Sequence, residues 1–171
     1  MKYARVEKER RFLIRKFPEV AQARTLAIQD WYLSNTNLRL RCVEEPGKLP
    51  VYKLGQKIRI DDLSLSTVAH TTMYLSENEF EALRALPSKS LMKTRALFPF
   101  GDLFLVIDEF DGELKGLMLA EIDLGVADVD IDSLPIEIVA EVTDDERFTG
   151  GALASTLSAD LHRLLVEHGV K

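Results

Sequence analysis

Charged side chains recur at every second position in several strand-like segments of this chain, and alternation of that kind puts them on one face. Glu7, Glu9 and Arg11 share a face near the N-terminus, and Arg39 shares one with Arg41. Lys53, Lys57 and Arg59 form a third set, Lys93 and Arg95 a fourth, and Glu121 and Asp123 a fifth, while Asp108 sits between Ile107 and Glu109. Any one pair is compatible with a solvated outer surface. The whole set is not. The stretch GLMLAEIDLG over 116–125 is apolar on both faces apart from its two acids, and Arg39 and Arg41 alternate with Leu38, Leu40 and Cys42. Burying such charges dry costs several kcal/mol per ion unless each is paired. The signs also segregate, with acids on the first, seventh and eighth segments and bases on the third, fourth and sixth. A wet interior with one acidic and one basic wall resolves the conflict.

Clustered carboxylates with no His or Cys beside them suit a hard divalent cation such as Mg²⁺ or Mn²⁺. Two Arg pairs and several Lys suit a polyanion, because a guanidinium grips two phosphate oxygens at once. A metal and a polyphosphate together point to phosphoryl transfer, which depends on positioning and charge neutralisation.

Strands are expected over 3–16, 24–34, 37–45, 50–60, 66–75, 90–98, 102–111 and 116–124, where helical spacing is absent and Pro, Gly, Asn or Asp mark the ends. Asn35-Thr36-Asn37, Pro46-Gly47 and Asp111-Gly112-Glu113 read as connections. Ser76 and Glu79 have capping-box spacing ahead of a short helix that carries Phe80 and Leu83 on one face. Leu153, Leu157, Leu161, Leu164 and Leu165 make 152–168 an amphipathic helix, stopped by Gly169. The expected class is mainly β (α+β): one domain over 1–171, an antiparallel barrel or sandwich with flanking helices. Eight strands suffice to close a barrel.

With 171 residues, 46% apolar and 29% charged, the composition is that of an ordinary folded domain. The net charge of −6 divides into +8 over residues 1–60 and −14 over 61–171. The charges are interleaved with apolar residues, so this is not a nucleic-acid-binding arm. No apolar run is long enough for a membrane helix, and the N-terminus lacks a signal core. A lone Cys42 excludes a disulfide framework and a thiolate zinc cluster. Cytoplasmic location is the default. His70, His162 and His168 are scattered and read as structural or surface residues, Cys42 as a core residue, Gly150-Gly151 as a turn, and Glu141 as part of an irregular region.

The ordered set of motifs resembles the triphosphate tunnel metalloenzymes of the CYTH superfamily. It runs from Glu7-Lys8-Glu9-Arg10-Arg11-Phe12-Leu13 through Tyr32-Leu33, Leu38-Arg39-Leu40-Arg41, Lys53 and Lys93-x-Arg95. It continues through Val106-Ile107-Asp108-Glu109-Phe110-Asp111-Gly112 and Ala120-Glu121-Ile122-Asp123 to Glu141–Phe148. The resemblance implies an eight-stranded antiparallel β-barrel forming a tunnel that cleaves the terminal phosphoryl group of inorganic triphosphate with Mg²⁺ or Mn²⁺. By the same resemblance, Glu7, Glu9, Asp108, Glu121 and Asp123 would be metal ligands. Arg11, Arg39, Arg41, Lys53, Lys93 and Arg95 would bind phosphate, and Tyr32 with Lys53 would assist water attack. Three positions depart from the family pattern: Arg11 replaces the usual Lys, Asp123 replaces the more usual Glu, and the fifth strand lacks an acidic pair. The expected partner is a small-molecule triphosphate, with no nucleic acid or membrane, and a homodimer is compatible. Rival readings are a class IV adenylyl cyclase, a thiamine triphosphatase and a non-catalytic polyphosphate- or nucleotide-binding module. Trp31, next to Tyr32, should point outward, which disfavours a thiazolium platform.

Overall fold

The computed structural model describes residues 3–19, 24–60, 67–125 and 130–170. Eight of its strands follow the expected segments: β1 (Arg5–Ile14), β2 (Arg24–Leu33), β3 (Leu38–Glu44), β4 (Val51–Arg59), β5 (Thr67–Leu75), β6 (Ser88–Phe100), β7 (Leu103–Phe110) and β8 (Met118–Asp123). Ser66, expected to open the fifth strand, lies outside the described residues. All pairings are antiparallel, in the order β5-β4-β3-β2-β6-β7-β8-β1, and β1 pairs with β5 to close the barrel. The turn after β2 holds Asn35 at φ 59°, a conformation Asn tolerates, and the Thr36 hydroxyl donates to the Leu33 carbonyl at 2.9 Å.

Closure in this order explains the charge pattern. The base-bearing strands β4, β3 and β6 adjoin through β2, and the acid-bearing strands β7, β8 and β1 are consecutive. The acidic strands look buried on both faces because they are. Their outward Phe12, Ile14, Ile107, Ala120 and Ile122 pack under Ile131, Leu134 and Ile136 of the following segment. Their inward Leu13, Phe110 and Leu119 join Leu91 of β6 in a second apolar cluster that fills the barrel interior beyond the charged layer.

The C-terminal region departs from expectation in three places. Glu141 is not in an irregular segment. It ends a ninth strand, β9 (Ile138–Glu141), which pairs with Phe12–Ile14 where β5 no longer covers β1. The helix expected over 152–168 is two helices, α2 (Gly150–Leu153) and α3 (Ser158–Glu167). Thr156 bonds back to the Ala152 carbonyl at 3.1 Å, the local competition that makes Ser and Thr poor helix-interior residues. Gly150-Gly151 is the first turn of α2, not a free turn. Leu153 of α2 and Leu161 and Leu164 of α3 cap the interior apolar cluster.

The first helix, α1 (Glu77–Arg84), has the expected capping box at Ser76 and Glu79. Phe80 from α1 meets Trp31 and Tyr52 on the barrel's outer wall, with ring centroids 5.4 and 4.4 Å away. Trp31 therefore points outward, as alternation with Tyr32 requires. Cys42 also faces this outer groove, where it is half-buried and not a core residue.

Candidate active site

A cavity of about 450 Å³ lies inside the barrel. Glu7, Glu9 and Arg11 of β1 and Glu121 of β8 line one side; Arg39 and Arg41 of β3, Lys57 of β4, and Lys93 and Arg95 of β6 line the other. Each charge is met by its opposite. Lys57 lies 3.1 Å from Glu7 and 2.7 Å from Glu9. Arg11 lies 2.6 Å from Glu121, which also faces Arg95 at 3.4 Å. Burial disfavours ionisation of Glu7, but the His70 hydrogen bond and the Lys57 charge overcome it and hold the carboxyl down at about 2. Burial opposes ionisation of Glu121 as well, and Arg11 and Arg95 hold it well below the usual range.

Two aspartates lie beneath this layer. Asp30 of β2 is 0% exposed and takes Arg41 bidentately at 2.6 and 2.7 Å, with Arg39 at 3.7 Å. Asp108 of β7 is 1% exposed and takes Arg95 bidentately at 2.7 Å on each oxygen, with Lys93 at 2.5 Å. Burial pushes both carboxyls up, and the guanidinium partners outweigh it, keeping both ionised. Burial, with Arg95 and Arg41, pushes the Lys93 ammonium down to about 8 against the pull of Asp108.

Of the expected metal ligands, Glu7, Glu9 and Glu121 come together on the cavity wall. Asp108 is clamped by two bases and would need release to reach a cation. Asp123 sits outside the lining, bonded to Arg5 at 3.0 Å and to the Lys8 and Gly125 backbone N–H groups at 3.2 and 3.1 Å. Of the expected phosphate contacts, Arg11, Arg39, Arg41, Lys93 and Arg95 line the cavity and Lys53 does not. The Lys53 ammonium lies 5.2 Å from the Tyr74 ring centroid, and desolvation with the charges of Arg41 and Arg39 lowers its pKa. The structure does not pair Tyr32 with Lys53. In the registers on either side of β3, Tyr32 stands opposite Arg39 and Lys53 stands opposite Arg41. Burial and the Asp30 charge raise the pKa of the Tyr32 phenol, against the lowering charges of Arg39 and Arg41.

Three features of the site escaped the sequence reading. Asp30 shares a strand face with Tyr32, and that parity was its available signal. His70 lines the cavity, with Nδ1 2.9 Å from Glu7 Oε1. Thr149, Gly150 and Gly151 close over Tyr32, and a Cβ on Gly150 would fall 1.9 Å from the phenol oxygen. The other two histidines fit the expectation: His162 is exposed, and His168 packs against Phe148 with centroids 5.4 Å apart.

The donor chemistry fits a hard cation. Glu7 Oε2 is buried and completes no hydrogen bond. Among the described residues, no group of three or more His, Cys, Asp or Glu side chains forms a ready-made cage. Mg²⁺ and Mn²⁺ sites shared with polyphosphates commonly take only one or two carboxylates from the protein, the shell being completed by water and phosphate oxygens.

The inorganic triphosphatase NE1496 has a similar structure, with 25% sequence identity over 88% of this chain and 95% of its own, and a TM-score of 0.58. This is the CYTH-type triphosphate tunnel fold. A second structure of NE1496, described as a hypothetical protein, matches at 23% identity over 88% and 99% of the two chains, with a TM-score of 0.56. A conserved hypothetical protein from Pyrococcus furiosus shares the fold at 13% identity over 96% and 91%, with a TM-score of 0.52. No protein-family model matches the chain, and no curated protein does. Among the described residues of this CYTH-type tunnel, no helix is long and apolar enough to cross a membrane.

Proposed function

We propose that the chain hydrolyses inorganic triphosphate to pyrophosphate and phosphate in this cavity, with Mg²⁺ or Mn²⁺ as cofactor. The carrying observation is the facing of Arg39, Arg41, Lys93 and Arg95 against Glu7, Glu9 and Glu121 across about 450 Å³. Binding an anion alone needs only the bases. The similarity to an enzyme described as an inorganic triphosphatase supports the same reading.

Glu7, Glu9 and Glu121 would hold the cation, which when bound offsets phosphate charge and polarises the bond to be cleaved. Arg41, whose guanidinium Asp30 already holds bidentately, and Arg39 beside it bind phosphate oxygens. Lys93 and Arg95 do the same over Asp108. These aspartates keep the bases in place before substrate arrives, so little reorganisation is needed as charge shifts toward the leaving pyrophosphate. Arg11 and Tyr32 bound the cavity next to Gly150 and Gly151 at the start of α2.

Phosphate release from tripolyphosphate, ATP, thiamine triphosphate and diphosphate, with and without metal, tests the proposal. Tripolyphosphate should have much the highest kcat/KM, activity should vanish with chelator, and ATP should yield no cyclic AMP. Cyclic AMP formation faster than phosphate release from tripolyphosphate would replace this reading with a cyclase. Tight polyphosphate binding without metal-dependent turnover would make the chain a binding module.

A further inference from the structure

The fifth strand lacks an acidic pair, and it lines the cavity with Val68 and with a histidine in contact with an acid of β1. We propose that His70 is a positioning residue that orients Glu7 for the divalent cation, and that Gly55 is the notch that admits its ring. This rests on the metal site of the proposed function.

His70 Nδ1 lies 2.9 Å from Glu7 Oε1, and Nε2 lies 3.2 Å from the Thr72 hydroxyl. A neutral imidazole satisfies both contacts: Nδ1–H donates to the carboxylate, and Nε2 accepts from Thr72. One Glu7 oxygen is thereby pinned. The other, Oε2, stays buried without a hydrogen bond, 3.1 Å from the Lys57 ammonium. A carboxylate with one oxygen tethered to an imidazole and the other facing a lone cation is oriented to ligate through that second oxygen. Outer partners of this kind fix the direction of a ligand, and their loss typically weakens metal binding about 10- to 100-fold.

Gly55 explains how the ring fits. The inward positions on either side of it on β4 are Lys53 and Lys57. A Cβ at Gly55 would lie 3.3 Å from His70 Nε2 and 3.7 Å from Arg39 Nη2. A glycine inside a strand marks close approach of another group, and here that group is the imidazole.

The test is Mn²⁺ binding to the full chain without substrate, followed by the electron paramagnetic resonance of free Mn²⁺, with thermal unfolding as a check on folding. His70→Ala should weaken Mn²⁺ binding about 10- to 100-fold. His70→Asn, whose amide N–H can replace Nδ1–H, should recover most of the loss. Gly55→Ala should weaken binding by displacing the ring while leaving His70 in place. Adding His70→Ala to Glu7→Gln should cost nothing further, because the histidine acts through Glu7. If wild type binds Mn²⁺ and both His70→Ala and Gly55→Ala bind it equally well, the positioning role is overturned and the metal site stands. If wild type binds no Mn²⁺, the metal site fails and this inference fails with it.

Discussion

The barrel interior holds two kinds of carboxylate. Asp30 and Asp108 lie at the base of the charged layer, each gripped bidentately by an arginine. Glu7, Glu9 and Glu121 stand one methylene taller on the cavity wall, and their partners are shared: Lys57 spans two of them, and Arg11 and Arg95 divide the third. Length and depth separate the roles. A short side chain under two bases is a counter-ion that sets their geometry. A longer one at the cavity surface can exchange its ammonium or guanidinium partner for a metal. The charge pattern alone made Asp108 look like Glu7, Glu9 and Glu121.

Removing a counter-ion should therefore hurt the fold, and removing a wall acid should hurt only chemistry. Asp30→Ala leaves Arg41 and Arg39 facing each other in a buried site. It should lower stability by about 3–5 kcal/mol, the usual scale for breaking a buried pair, read as a lower midpoint in urea unfolding. A change below about 1 kcal/mol, the scale of an exposed ion pair, would place Asp30 among the wall acids and dissolve the distinction.

Glu9→Gln should leave the unfolding midpoint nearly unchanged, because Lys57 keeps Glu7. It should nevertheless reduce metal-dependent turnover of tripolyphosphate at least about 100-fold, or ~3 kcal/mol of transition-state stabilisation. Normal turnover in the folded variant would remove Glu9 from the proposed metal site.

The sequence disclosed the barrel readily, because period-two alternation and turn residues act locally. All eight barrel strands appear where Arg39/Arg41, Lys93/Arg95 and the other pairs required. What alternation cannot disclose is which strands become neighbours after closure. Asp30 was legible only as one acid in β2 until the register set it opposite Arg41. His70 looked solitary until β5 closed on β1, placing residue 70 opposite Arg5, two positions from Glu7. Tyr32 and Lys53 made a plausible pair on motif grounds, and the register sets them on either side of β3, opposite Arg39 and Arg41. The split of the last helix turned on one hydroxyl, Thr156, and a leucine periodicity does not register that competition.

Gly150 offers a smaller perturbation at the boundary of the cavity. It does not occupy the left-handed region, so alanine suits its backbone and the cost is steric. The added Cβ would overlap the Tyr32 hydroxyl, and the Tyr32 ring would have to move from its place opposite Arg39. Gly150→Ala should reduce kcat/KM about tenfold, consistent with a displacement of roughly 1 Å costing up to about 100-fold. Stability should fall by about 1–3 kcal/mol, the usual cost of overpacking. Wild-type kinetics would show that the phenol takes no part in shaping the cavity.

The mildest prediction concerns the counter-ion layer in the free enzyme. Lys93 sits over Asp108 with its pKa pushed down to about 8 by burial and the neighbouring Arg95 and Arg41. It is charged below that pH and neutral above it, so the proposed phosphate site loses one positive charge as pH rises through about 8. The dependence of kcat/KM on pH reports ionisations of the free enzyme. It should therefore fall above pH 8, by less than about tenfold per unit, since the arginines remain charged throughout. Arg at this position stays protonated, so Lys93→Arg should lose that inflection while keeping the plateau below pH 8 within a few-fold. An inflection that survives in Lys93→Arg belongs to another group. Asp108 would then be holding Lys93 charged throughout, and the counter-ion's grip on its bases would be stronger than the burial of Lys93 implies.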